Sequence, residues 1–148
     1  MKKTIFALSA LLLSSSAFAQ SDLIIENPYA RATPPNAVNS AIFMTIKNDG
    51  DNDRTLVSAT TSAANKVELH TVINTDGMMK MREVKSITIT KNANTALKPG
   101  GLHIMLFELT GPLKEEEFID VTLNFANGDK EQFKAPVKKV MAGMKHKM

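Results

Sequence analysis

The sequence predicts an all-β fold, a two-sheet sandwich or barrel. Three observations carry this. Short apolar, β-branched runs recur along the chain between turn-forming dipeptides. No segment sustains a 3.6-residue apolar period, and residues 114–117 could form one helical turn at most. Behind an N-terminal leader lie 129 residues without a cysteine, enough for one domain with a hydrophobic core held by packing alone.

The leader comes first. Met1, Lys2 and Lys3 make a short positive region, residues 5–13 are apolar, and Ala17-Phe18-Ala19 is a small-x-small cleavage signal. This predicts an exported, periplasmic protein cut after Ala19, with a signal peptide over 1–19 and a domain over 20–140. The apolar run is shorter than the roughly 20 residues a membrane span needs, so no span is expected after cleavage. No cysteine follows it, which excludes a lipid-anchored form.

The strands then follow in order. Residues 40–47 (SAIFMTIK) are apolar and β-branched and stop at Asn48-Asp49-Gly50. Residues 55–61 are a second short strand. Residues 66–74 (KVELHTVIN) alternate, with Val67, Leu69, Thr71 and Ile73 on one face. Asp76-Gly77 and residues 79–84 complete a hairpin. Residues 86–90 (SITIT) are another strand, and Lys98-Pro99-Gly100-Gly101 is a turn. Residues 102–109 (LHIMLFEL) are nearly all apolar, as in a central strand. Residues 118–125 and 130–137 flank Asn127-Gly128, a second hairpin signal. The pattern stops near Val140, and a flexible tail is expected over 141–148.

Charge narrows the partners. The whole chain carries +3, yet residues 20–133 hold 11 basic and 15 acidic side chains, and residues 134–148 hold five lysines and no acid. An acidic body with no basic face argues against nucleic acid. Without cysteine there is no thiol nucleophile, no redox dithiol and no blue-copper thiolate. The histidines have no evident serine partner, and three are too few for a copper-zinc dismutase, so no enzyme is expected.

The chemistry sits in histidine and methionine. His70, Met78, Met79, Met81, His103 and Met105 fall in two strand regions, and Met141, Met144, His146 and Met148 fall in the last eight residues. A turn at Asp76-Gly77 pairs residues whose numbers sum to about 151 or 153, so His70 and Met81 share a face as direct or diagonal neighbours. His103 and Met105, two apart on one strand, also share a face, with Cα atoms roughly 6.6 Å apart. If these faces meet, two imidazoles and two thioethers converge. Thioether sulfur is soft and selects Cu(I) over zinc, magnesium or calcium. Taken singly, each methionine could be a core gap-filler and His103 a satisfied core histidine; the shared parity on two strands favours copper.

The spacing His70-x10-Met81-x21-His103-x-Met105 resembles the signature of the PCuAC family of periplasmic copper chaperones. Tyr29-Ala30-Arg31-Ala32-Thr33-Pro34-Pro35 is similar to that family's opening strand and Pro-Pro turn. VELH, MKMREV, LKPGGLHIML and VTLNFANG are similar to other family segments, so the likeness runs from about Ile25 to Val137. It implies a cupredoxin-like Greek-key fold, with Cu(I) held by His70, Met81, His103 and Met105 and passed to the CuA centre of cytochrome c oxidase subunit II, directly or with a thiol-redox copper protein. One departure is Thr71, where many members carry a methionine outside the four ligands.

The tail Met141-x2-Met144-x-His146-x-Met148 is a second His/Met tract. Some family members have such extensions, which implies an accessory site for Cu(I) or Cu(II); Lys145 and Lys147 repel cations, and a solvated basic tail is the alternative. Two other functions stay open: a copper storage or resistance carrier, and a metal-free β-sandwich interaction domain. A monomer is expected.

Overall fold

The computed structural model describes residues 21–139; the predicted signal peptide and the tail residues Met141, Met144, His146 and Met148 lie outside them. Ten strands and no helix make up the described residues: β1 (Leu23–Arg31), β2 (Asn39–Asn48), β3 (Arg54–Thr61), β4 (Ala64–Thr75), β5 (Met78–Glu83), β6 (Ile87–Ile89), β7 (Ala93–Leu97), β8 (His103–Leu109), β9 (Phe118–Phe125) and β10 (Lys130–Lys138).

Their order is β5-β4-β8-β2-β1-β10-β9-β3-β6, with β7 also paired to β2. The pairing is antiparallel except where β1 meets β10, Ala30 beside Val137 and Arg31 beside Lys138. That parallel seam joins a sheet containing β5, β4, β8, β2 and β1 to one containing β10, β9, β3 and β6. The two pack around one core, in which Ile42, Ile46, Leu56, Ile89, Ile104, Leu106 and Leu123 are fully buried. Each such side chain contributes about 1.5–3 kcal/mol. The expected sandwich is therefore observed, and β8, bonded to β4 on one side and β2 on the other, is central as its apolar run predicts.

Turn chemistry fixes the registers near the His/Met residues. Asp76 (φ 52°) and Gly77 (φ 79°) are both left-handed, the conformation a two-residue hairpin turn requires. The turn closes Thr75 on Met78 and sets the larger of the two expected sums, Val72 beside Met81 and His70 beside Glu83. Before β8, Gly101 N–H donates to the Lys98 carbonyl at 3.0 Å, with Pro99 and Gly100 (φ 83°) at the corners, a type II turn.

Two features escape sequence patterning. Strand β7 (ANTAL) is small and polar; it forms because β2 offers it an apolar neighbour, with Leu97 opposite Met44. In β1 a bulge at Asn27 (φ 49°) shifts the register between Glu26 and Tyr29. Ahead of it Ile25 pairs with Ile46; beyond it Ala30 takes the core-facing place opposite Ile42, and Tyr29 turns to the other face opposite Phe43.

Candidate metal centre

The site is built on the sheet face that the main core does not use. Across β4, β8 and β2 the core row is Leu69, Ile104 and Ile42. One residue further along, parity turns every side chain over. His70 and His103 are direct cross-strand partners there, with ring centroids 5.7 Å apart. Phe43 lies 6.2 Å from His103, Tyr29 lies 5.3 Å from Phe43, and Phe107 flanks His70 at 5.7 Å. Phe43 and Ala41 are buried yet outside the main core cluster, so this face carries a small apolar layer of its own.

Both histidines are buried, and each is tied by the residue two places before it, His70 by a side chain that alternation puts on its own face and His103 by a backbone carbonyl of the preceding turn. Glu68 Oε2 is 2.7 Å from His70 Nε2, and the Gly101 carbonyl is 2.9 Å from His103 Nδ1. A carboxylate and a carbonyl can only accept, so these ring nitrogens carry the hydrogens. The lone pairs then fall on His70 Nδ1 and His103 Nε2, and both atoms are buried without a hydrogen-bond partner. Leaving such atoms unsatisfied costs about 1–3 kcal/mol each. The pattern is that of metal-ligating histidine, one nitrogen fixed by an acceptor and the other free. A metal–imidazole bond of about 2 Å, added to the ring radius on each side, brings two imidazoles around one ion at a bent angle to a spacing close to the observed 5.7 Å.

The methionines flank this pair. Met105 stands opposite Glu68 and is therefore diagonal to His70 and two residues along β8 from His103. It is half-buried and lines a surface recess with Thr33, Pro34, Ala37 and Ala41. Met81 stands opposite Val72, diagonal to His70 on the other side, within the reach of a long side chain. It lies on the edge strand and is 62% exposed. His70 is thus the hub: His103 faces it directly and both thioethers are one diagonal step away. The four expected residues share one face of three adjacent strands, so convergence needs no second sheet.

Glu68 is the residue that motif reading passed over. Its other oxygen meets Lys66 Nζ at 2.7 Å, and Lys66 lies over the Phe107 ring. Bonds from His70 first, then from Lys66, hold the Glu68 carboxyl below the usual carboxylate range. The sequence signal was available: Glu68, like His70, is an even-numbered residue of an alternating strand.

The donor set is soft. Among the described residues no group of three or more His, Cys, Asp and Glu gathers into a hard-metal site. Two neutral imidazoles and two neutral thioethers would suit Cu(I), and the carboxylates of Glu68, bonded to His70, and Glu83, opposite it in register, would offset a cation's charge.

Residues 23–137 match the LpqE-like family, whose description is of a lipoprotein. A protein of Leifsonia xyli subsp. xyli that bears a lipoprotein name, Lxx21020, is 39% identical over 100 residues, 67% of this chain; the chain spans about 60% of that relative's length. Among solved structures, Cu(I)-bound DR1885 of Deinococcus radiodurans is 33% identical, with 88% of each chain covered and a TM-score of 0.66. The copper-bound PCuAC domain of PmoF2 superposes with a TM-score of 0.69 over 82% of this chain and 97% of that domain; at 19% identity it speaks to the fold alone. The chain has the fold of a PCuAC domain and belongs to the LpqE-like family.

Proposed function

We propose that this protein is an exported copper carrier that holds one Cu(I) through His70, Met81, His103 and Met105 and passes it to a receiving protein. The observation that carries the reading is the pair of opposed, buried imidazoles whose free nitrogens, His70 Nδ1 and His103 Nε2, have no other partner. The flanking thioethers give the site its softness and so its choice of Cu(I). The 33% identical relative DR1885, solved in a Cu(I) form as well as an apo form, supports the same metal. All four ligands are neutral and one is largely exposed, so a partner's ligands can replace them one at a time.

Export fits the leader pattern and the lipoprotein names of the family and the Leifsonia relative. This chain contains no cysteine to carry a lipid, so the proposed form is free in the periplasm. The proposed recipient is the CuA centre of cytochrome c oxidase subunit II, directly or with a thiol-redox copper protein; the tail Met141, Met144, His146 and Met148 would be an accessory site.

Transfer is the property to test. The Cu(I)-loaded mature chain is mixed under nitrogen with the copper-free soluble domain of oxidase subunit II, and the copper on each protein is measured after separation. Copper recovered on the oxidase domain is expected. Copper that stays on the carrier while the oxidase domain takes it readily from a small-molecule donor would overturn delivery to CuA.

A further inference from the structure

Strand β5 carries more sulfur than the site needs. Met78, Met79 and Met81 are each 62% exposed. Methionine's usual task is to fill gaps in a core, and side chains this open fill none. Alternation divides the strand: Met79, Met81 and Glu83 share the face that holds His70, while Met78, Lys80 and Arg82 take the other. The cations of β5 therefore point away from the histidines, and the one carboxylate points with them.

The register orders that face into steps. Met79 stands opposite Asn74 beside the Asp76-Gly77 turn, Met81 opposite Val72, and Glu83 opposite His70. Successive steps are about 6.8 Å apart, a gap two thioethers can close on one ion. An ion arriving at the hairpin tip meets Met79, then Met81, then His70. Because β5 is the sheet's edge, nothing on its outer side pairs with it among the described residues.

We propose that Met79 and Met81 form a loading site at which Cu(I) is first captured, before it moves inward to the histidine pair. The inference rests on the carrier reading and deepens it. No electron moves. Cu(I) exchanges a donor's ligands for the two β5 sulfurs, then the Met79 sulfur for the nitrogens of His70 and His103 and the sulfur of Met105, with Met81 bound throughout.

The test is stopped-flow loading of the full mature chain under nitrogen, with Cu(I) supplied as its bicinchoninate complex and the loss of that colour followed. Met79→Leu is compared with Met78→Leu, which removes an equally exposed sulfur from the opposite face. Severalfold slower loading of M79L, with M78L loading at the parent rate, is expected. Equal rates for M79L and the parent, or equal slowing in both variants, would overturn the loading site. A parent that takes up no Cu(I) would instead overturn the carrier reading itself, so the two failures are distinguishable.

Discussion

Glu68 decides how His70 presents itself. By accepting from Nε2–H it leaves Nδ1 as the free nitrogen, and the bonds from His70 and Lys66 lower its pKa, which favours the accepting carboxylate. The Gly101 carbonyl does the same for His103, from a turn whose shape Pro99 and Gly100 set. A backbone carbonyl cannot be mutated away, but Glu68 can. Glu68→Leu keeps roughly the size of the side chain and removes the acceptor, and Lys66 loses its ion-pair partner. Replacing such an acceptor behind a ligating histidine weakens metal affinity about 10–100-fold. We expect that loss for Cu(I) in an anaerobic competition titration; unchanged affinity would mean that Glu68 only anchors Lys66. The candidate donors were legible in the sequence because histidine and methionine are few and chemically distinctive. The acceptors were not, because a glutamate in a strand is ordinary and a carbonyl leaves no mark in the sequence.

Within strands, parity governs the site. Both β4 and β8 put a core residue next to a histidine, Leu69 before His70 and Ile104 after His103, so each serves the core on one face and the candidate site on the other. For β5 the two-residue turn fixes which side chains join His70. The double variant Met81→Leu, Lys80→Met keeps a thioether on the strand and moves it to the wrong face. It should bind Cu(I) no more tightly than Met81→Leu alone; recovery of the parent's affinity would show that proximity without facing suffices. The Asp-Gly and Asn-Gly turns and the alternating strands were readable, since the residue types themselves set the backbone. Strand β7 and the Asn27 bulge were not. The first depends on a distant partner, and the second is a shift of register that only pairing defines. The bulge still matters here, because it brings Tyr29 to the ring row beside Phe43.

For the whole molecule, the sandwich explains why a buried histidine pair can persist without metal. The core row under it, Leu69, Ile104 and Ile42, and the seam that ties the first strand to the last hold the strands in place whether or not the ring nitrogens are satisfied. Fold class and sheet centre followed from turn spacing and from the apolar run of residues 102–109. That the site lies on the face away from the core did not, since parity alone cannot say which face a core will choose. The chain has two groups of His and Met, one on this face and one in residues 141–148, and we propose that the first holds the copper tightly. The most direct measurement is an anaerobic Cu(I) competition titration of the mature chain beside its His70→Ala, His103→Ala double variant, with circular dichroism to check that both keep their β-sheet. One tightly bound Cu(I) in the parent and only weak binding in the variant are expected; a folded variant that keeps the parent's tight site would contradict that and move the copper to the tail.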